Sequence, residues 1–196
     1  MMEELVLAPL GVEQVAEFRY ELQRAFQVGY EKEFGPCSEP VILTEDIDRS
    51  LNAAGAAAYV ARRNGALIGG AVVKIAPDRR HNELELLFVK VGVQSRGVGQ
   101  MIWERIEALY PETETWETFT PYFEKRNIHF YVNRCGFHIV EFFHPGHPMP
   151  CGEGEEYCGG MTDEASQYFF RFVKWMTPDH RRVSPSCFGA AHPGQG

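Results

Sequence analysis

The sequence lacks a long hydrophobic run and has few cysteines, and each shortage excludes a class of protein. No apolar stretch approaches the roughly 20 residues that a membrane-spanning helix needs. The first residues, MMEELVLAPLG, lack the basic and apolar regions of a signal peptide. The 5 cysteines are an odd number at irregular spacing, which argues against a disulfide framework. We therefore expect a cytoplasmic protein with mostly free thiols and no membrane partner.

Positive charge is also scarce. The chain has 19 lysines and arginines against 27 aspartates and glutamates, which gives a net charge of -8. Such a field repels nucleic acid and anionic membranes, so we expect neither as a partner, and a small cationic or neutral partner fits better. A 44% hydrophobic content is typical of a folded chain. We expect one domain over 1–176, followed by a tail over 177–196 that is rich in Pro, Gly and His.

Hydrophobic periodicity predicts a definite order of helices and strands. It indicates a short strand, two helices, a three-stranded antiparallel meander, a helix, a strand, a helix and two strands. In the meander, Asn64-Gly65 favours a type I′ hairpin turn. Alternation along the third strand predicts that Glu83, Glu85 and Leu87 share one face. The elements are expected at 4–10, 12–30, 43–55, 57–63, 66–75, 83–91, 98–109, 113–120, 122–135, 137–143 and 167–176.

The segment VQSRGVGQ, residues 93–100, joins a strand to a helix through two glycines. A strand, a glycine turn and a helix N-terminus together form an anion site, because unpaired N–H groups converge there and the helix dipole adds positive charge. The Walker pattern fails, since the loop does not close with Gly-Lys-Ser/Thr, and the Rossmann pattern fails because Ile102 occupies the place of the third glycine. A third pattern, Gln/Arg-x-x-Gly-x-Gly/Ala, is met by Gln94, Gly97 and Gly99.

This loop resembles the acetyl-coenzyme A loop of the GNAT superfamily of N-acetyltransferases. A second segment, NIHFYVNRCGFHIVEF, is similar to the late helix and strand of that family, with Phe130 and Tyr131 before Gly136 and Phe137. The order of elements over 5–176 resembles the family as well. The resemblance implies an α+β fold of α/β/α layers. Its mixed, mostly antiparallel sheet of about seven strands has a β4-α3-β5 crossover and about four flanking helices.

The resemblance also implies that acetyl-coenzyme A is the cosubstrate. Backbone amides of the loop would bind its pyrophosphate, and the pantetheine would run beside the preceding strand. The family often has an Asn seven residues before the conserved Tyr, but that place holds Glu124, with Asn127 one helical turn later as an alternative contact. The implied cofactor residues are Phe88, Val89, Val91, Gln94, Ser95, Arg96, Gly97, Val98, Gly99, Gln100 and Asn127.

The reaction implied by the resemblance is acetyl transfer to a primary amine of a small molecule or peptide, by direct attack. Tyr131 is the candidate general acid, because its phenol is protonated at neutral pH and can donate to a departing thiolate. Glu85 and Glu83 are candidate bases, with Glu85 favoured, and Glu117 is a candidate for orienting a cationic substrate. His81 and His129 are weaker alternatives for the base.

Two other interpretations stay open. His144, His147, Cys151 and Cys158 supply the ligand types of a zinc site, but their spacing matches no strong zinc template, so we expect no metal. A noncatalytic acyl-coenzyme A-binding or protein-interaction module on the same scaffold is the alternative function. A homodimer paired through the last strands is compatible with this order of elements.

Overall fold

The computed structural model describes residues 5–93, 97–150 and 167–176. Its seven strands form one sheet in the order β1-β2-β3-β4-β5-β7-β6. All neighbouring strands are antiparallel except β4 and β5, which are parallel and joined through a helix. The expected mixed sheet with one crossover is therefore confirmed. The strands are β1 Val6–Pro9, β2 Ala56–Arg63, β3 Ala66–Lys74, β4 His81–Val89, β5 Thr115–Pro121, β6 His138–Phe143 and β7 Phe169–Trp175.

Four α-helices flank the sheet, and none in the described ranges is long and apolar enough to cross a bilayer. A short 3-10 turn, Val12–Gln14, precedes the first. The last continues into a π-helical segment, Tyr131–Cys135. The predicted helix over 122–135 begins later, because Glu124 has non-helical dihedrals and its N–H bonds back to Pro121. The α-helices are α1 Val15–Phe34, α2 Thr44–Asn52, α3 Val98–Leu109 and α4 Lys125–Phe130.

One face of the sheet, the α3 face, packs against α3, α4 and the π-helical segment. Ile102 and Ile106 of α3 are fully buried there, as the predicted stripe requires, whereas Leu109 at the end of the helix is exposed. Trp103 contacts both Trp116 of β5 and Phe137 edge-on or tilted, with ring centroids 5.2 Å apart in each case. Aromatic packing therefore fixes α3 against the second half of the sheet.

The opposite face, the α1 face, is covered by α1 and α2 over β2, β3 and β4. Gly69 and Gly70 of β3 allow helices to approach on both sides. A Cβ at Gly69 would lie 2.8 Å from Ile102 of α3, and one at Gly70 would lie 2.6 Å from Phe18 of α1. These contacts leave no room for a side chain, so the two glycines set the thickness of both layers.

The β2–β3 hairpin turns at Asn64 and Gly65, whose φ angles of 53° and 77° confirm the predicted type I′ turn.

A β-bulge in β4 contradicts the predicted alternation of its side chains. Val73 pairs with Leu84 and Val72 pairs with Leu86, so Glu85 is an extra residue in the strand. Glu85 and Leu86 consequently share the α1 face, and Leu87 lies on the α3 face with the core around α3. The prediction that Leu87 shares a face with the glutamates is wrong, because the bulge shifts the alternation by one residue.

Candidate active site

The sheet forks between β4 and β5. These two strands pair only from His81 to Glu83, opposite Thr115 to Glu117, although both continue beyond that point. At the fork, the Thr118 hydroxyl donates a hydrogen bond of 2.8 Å to the Leu84 carbonyl and takes the place of a strand-to-strand bond. Beyond it, the edge of β4 that faces β5 is left without ladder partners from β5.

The main-chain direction of β4 shows which groups face this gap. The Lys90 N–H donates to the Ile68 carbonyl of β3 at 2.9 Å, so antiparallel alternation also directs the main chain of Phe88 toward β3. The N–H and C=O groups of Leu87 and Val89 therefore face the fork. Val89 therefore faces the gap, the main chain of Phe88 faces β3, and Leu87, which the sequence reasoning did not name, faces the gap as well.

Val91 lies outside β4, which ends at Val89. It is part of a turn in which the Val93 N–H donates to the Lys90 carbonyl at 3.1 Å, with Gly92 at a φ of 88°. The predicted strand over 83–91 is therefore displaced by two residues, since β4 both begins and ends two residues earlier. Val91 belongs to the entrance of the glycine loop, and its main chain is not part of the strand edge.

The glycine loop leads into the N-terminus of α3. Gln94, Ser95 and Arg96 lie outside the described residues, and Gly97 is the N-cap, with a φ of 97° that favours glycine. The Met101 N–H donates to the carbonyl of Gly97, the N-cap, so residues 98–100 form the first turn, whose N–H groups generally lack an acceptor within a helix. No acidic side chain occupies the first turn of this helix. A helix N-terminus of this kind offers backbone N–H donors to an anion.

Gly99 and Gln100 of this first turn have neighbours of their own. A Cβ at Gly99 would lie 3.2 Å from the ring of Phe130, so this glycine permits close packing of α3 against α4. The Gln100 side chain donates to Glu104 at 3.0 Å. Packing therefore explains Gly99, and backbone conformation explains Gly97.

Tyr131 approaches the fork from the α3 face. It is buried among Phe130, Phe137 and Phe172. Its side chain has the Thr118 hydroxyl as a hydrogen-bond partner, and burial raises the pKa of its phenol above the usual value. Since the Thr118 proton is donated to Leu84, the Thr118 oxygen is left to accept from the phenol.

The π-helical segment fixes the main chain of Tyr131. Its carbonyl accepts from the N–H of Gly136 and, at 3.0 Å, from that of Phe137. Such π-helical insertions often occur at functional sites because they reposition one side chain within a helix.

A cavity of about 520 Å³ opens on the α1 face over β4, β5, β7 and β6. It lies beside the region where β4 and β5 still pair, just before the fork. Its polar lining includes Glu83, Glu117 and Arg171, and its apolar lining includes Val173 and Trp175. The cavity therefore combines charge with an apolar wall next to the gap in the sheet.

Glu83 and Glu85 both lie on the α1 face, but their surroundings differ. Glu85 accepts a hydrogen bond of 2.9 Å from Ser50 of α2 and forms an ion pair of 2.6 Å with Lys74. The Lys74 ammonium is 3.9 Å from Glu83. Burial, and then the negative charge of Glu85, raise the pKa of Glu83 to about 7. Of the two carboxyls, Glu83 is the one that lines the cavity.

Glu117 is already paired with a cation. The Arg171 guanidinium donates to one oxygen of Glu117 through Nε at 2.7 Å and Nη2 at 2.6 Å. Its Nη1 donates to Glu141 at 3.2 Å, and Glu141 in turn contacts His147 at 2.8 Å. Glu117 lines the cavity as half of an ion pair. The signal in the sequence for Arg171 is an arginine within the apolar strand QYFFRFVKWM.

The remaining candidates lie farther from the fork or are engaged elsewhere. Asn127 lies in α4, one turn before Tyr131, and is half-buried. Burial raises the pKa of Glu124 at the N-cap of α4. His81 lines the cavity but pairs with Asp78 at 2.7 Å, and His129 bonds with Asn133 at 2.9 Å.

The histidines of the considered zinc cluster have other contacts. His144 and His147 form a main-chain bridge, and the ring of His147 bonds with Glu141. Cys151 and Cys158 lie outside the described residues. Across residues 5–93, 97–150 and 167–176, no group of three or more histidine, cysteine, aspartate or glutamate side chains could hold a metal ion.

Comparisons with known proteins identify the family of the chain. The model of the acetyltransferase (GNAT) family matches residues 17–137. A Bacillus subtilis (strain 168) protein, "Uncharacterized protein YrkN", is 45% identical over 165 residues, which cover 82% of this chain and 87% of that protein.

Solved structures share the fold at low sequence identity. The ribosomal-protein-S18-alanine N-acetyltransferase of Escherichia coli is 14% identical with a TM-score of 0.60, and the match covers 87% of this chain and 92% of that one. A Bacillus subtilis acetyltransferase in complex with CoA is 19% identical with a TM-score of 0.59, covering 89% of this chain and 100% of that one.

Proposed function

The chain belongs to the acetyltransferase (GNAT) family, and from that premise we propose that it transfers the acetyl group of acetyl-coenzyme A to a primary amine of a small molecule or peptide, by direct attack. The observation that carries the proposal is the forked sheet. One proton-handling side chain, Glu83, approaches the fork from the α1 face, and another, Tyr131, approaches it from the α3 face.

The fork and the end of α3 fit acetyl-coenzyme A. The outward main-chain groups of Leu87 and Val89 are suited to the amides of a pantetheine arm lying between β4 and β5. The N–H groups at the start of α3 are suited to its pyrophosphate, and the φ of Gly97 lets the chain turn into that helix. When bound, acetyl-coenzyme A supplies a thioester carbonyl that is open to nucleophilic attack.

Glu83 accepts the proton of the attacking amine, directly or through water. A carboxyl with a pKa of about 7 is a competent base at neutral pH, because it is substantially ionised and still holds a proton firmly. Glu85, the base favoured by the sequence reasoning, is held by Lys74 and Ser50. We therefore assign Glu83 as the base, with a pKa that burial raises and the negative charge of Glu85 raises further.

Tyr131 donates a proton to the sulfur of the departing group. Its raised pKa keeps the phenol protonated across the physiological pH range. Thr118 accepts from that phenol and orients it, while its own O–H donates to the Leu84 carbonyl. When the phenol turns from Thr118 toward the thiolate, the proton is delivered on the face opposite Glu83.

The acceptor amine enters through the cavity on the α1 face. Carboxylates on its wall favour a cationic amine, and Val173 and Trp175 favour apolar atoms beside it. Because Arg171 already cancels the charge of Glu117, Glu83 is the carboxyl left to meet the amine.

The outward edge of β6, with Ile139 and Phe142 exposed, supports a homodimer, which light scattering of the purified protein tests.

Release of free thiol from acetyl-coenzyme A, measured with a panel of primary amines, tests the proposed function. We expect amine-dependent release in the native protein. A strong reduction is expected for Glu83→Gln and little change for Glu112→Gln, an exposed carboxylate paired with Arg79. Tight binding of acetyl-coenzyme A without thiol release for any amine would support the noncatalytic module instead.

A further inference from the structure

A row of charged side chains crosses five neighbouring strands on the α1 face. Lys74 of β3 is the register partner of Glu83 of β4, and Glu83 is the partner of Glu117 of β5. Arg171 of β7 lies diagonal to Glu117 and is the partner of Glu141 of β6. We call these five residues the charged row. Register partners on one face are close neighbours, so each charge in the row acts on the next.

The charges of the row are unevenly compensated. Lys74 lies 2.6 Å from Glu85 and 3.9 Å from Glu83, so its closer contact is with the other glutamate. Arg171 binds Glu117 through two nitrogens and Glu141 through the third. Glu83 therefore lies between two carboxylates, Glu85 and Glu117, each of which has its own cation.

We propose that Arg171 is a positioning residue for acetyl transfer, which controls the ionisation of Glu83 by cancelling the charge of Glu117. The inference rests on the proposed function, because it takes Glu83 as the base. Arg171 acts through Glu117 and need not touch the amine or acetyl-coenzyme A. Its two donors to one carboxylate oxygen also fix that oxygen toward β7, away from Glu83.

The charged groups around Glu83 come from each neighbouring strand. Lys74 on β3 favours its ionised form, and Glu85 on β4 disfavours it. Glu117 on β5 also disfavours it, to an extent that Arg171 limits. His81, two residues earlier in β4, is paired with Asp78, and α2 contributes the neutral Ser50 through its bond to Glu85.

The direction of the effect follows from Coulomb's law. Without Arg171, the negative charge of Glu117 is uncompensated beside Glu83, so ionising Glu83 becomes harder and its pKa rises. Without Glu117, the guanidinium keeps only Glu141, and the pKa of Glu83 falls. Removing both partners cancels most of the change. Adding or removing one charge on a neighbouring strand is expected to change the pKa of Glu83 by about one unit.

The test is the pH profile of kcat/KM for acetyl transfer in four proteins: native, Arg171→Gln, Glu117→Gln and the double variant. We expect the acid limb to move up by about one unit in Arg171→Gln, which lowers kcat/KM about tenfold below the midpoint. It should move down in Glu117→Gln and return near the native position in the double variant. Arg171→Lys should restore part of the shift, since it keeps the charge and loses the two-nitrogen geometry.

Arg49→Gln is the matched control, because Arg49 is exposed and pairs with Asp46 in α2 at 2.8 Å. This substitution removes an ion pair within α2, outside the charged row, and should leave the acid limb of the pH profile unchanged. An equal displacement in Arg49→Gln, or parallel shifts in the two single variants, would overturn the proposal.

Carbon NMR of the Glu83 carboxyl, assigned with Glu83→Gln, separates this inference from the proposed function. If Glu83 titrates near 7 in the native protein and Arg171→Gln leaves that titration unchanged, the role of Arg171 is wrong and the base stands. If Glu83 does not titrate near 7, the base itself is wrong. A matching upward shift in both NMR and kinetics supports both.

Discussion

The two faces of the sheet meet at the same fork and are built from different chemistry. On the α3 face, Tyr131 is enclosed by aromatic rings and has the Thr118 hydroxyl as a hydrogen-bond partner. On the α1 face, a cavity exposes Glu83 to its charged neighbours. Burial raises the pKa of both the Tyr131 phenol and the Glu83 carboxyl. The phenol therefore stays protonated, and the carboxylate is able to accept a proton. In the proposed reaction, the gap in the sheet thus has a proton donor on one side and a proton acceptor on the other.

The largest expected effect is that of a substitution on the α1 face. Glu83→Gln removes the proton acceptor while keeping the size and hydrogen-bonding shape of the side chain, and we expect kcat/KM to fall about 10²–10³-fold. The acid limb of the pH profile near 7 should disappear with it. Steady-state kinetics between pH 5.5 and about 9 measure both, with Glu112→Gln as the control. A retained limb near 7 would assign the titration to another group.

The second largest effect is expected for a substitution on the α3 face. Tyr131→Phe removes the phenol proton, and we expect kcat to fall about 10–100-fold with little change in KM, since a thiolate is a fairly good leaving group. Tyr110→Phe is the matched control, because Tyr110 is also buried on this face and bonds with Tyr59 at 2.6 Å. Unchanged turnover in Tyr131→Phe at saturating substrate removes this residue from the mechanism.

Stability provides a third test of the contrast. The pKa of Glu83 is raised from 4.5 to about 7 in the folded protein, so the protonated form is favoured by folding. Its ionisation therefore costs stability progressively as pH rises from about 4.5 through about 7. Glu83→Gln removes that cost and should stabilise the protein by about 1–2 kcal/mol at pH 8, and by less at pH 5. Urea unfolding at the two pH values measures this, and equal gains at both would contradict it.

The smallest effect concerns the contact between α3 and α4. A Cβ at Gly99 would lie 3.2 Å from Phe130, so Gly99→Ala requires α3 to shift by a few tenths of an ångström. We expect KM for acetyl-coenzyme A to rise about two- to fivefold with kcat nearly unchanged, because the shift displaces the N–H donors that face the cosubstrate. Gly29→Ala, where a Cβ meets nothing within 4 Å, is the control. A change in kcat alone would place Gly99 in the chemical step.

Local patterns in the sequence predicted most of the fold. The Asn64-Gly65 turn, the stripe of Ile102 and Ile106, and the strand–helix–strand crossover are set by short-range rules of turn geometry and periodicity, and all are present. The glycine segment 93–100 was expected between a strand and a helix, and its Gly97, at a left-handed φ, is the N-cap of α3.

Features that depend on long-range pairing could not be read from the sequence. The fork arises because β4 and β5 stop pairing after Glu83 and Glu117, and no local signal marks that point. The bulge at Glu85 reverses the alternation that the sequence suggested. Arg171 is 54 residues from Glu117, so their ion pair follows only from the strand order.

A crystal structure with acetyl-coenzyme A tests the central claim most directly. We predict that the pantetheine lies between β4 and β5 and bonds to the main chain of Leu87 and Val89, with the pyrophosphate at the N-terminus of α3. The thioester carbon should then be open to the cavity lined by Glu83, and the sulfur should lie within reach of Tyr131. A thioester that faces the α3 side, or a cofactor bound outside the fork, would contradict the account.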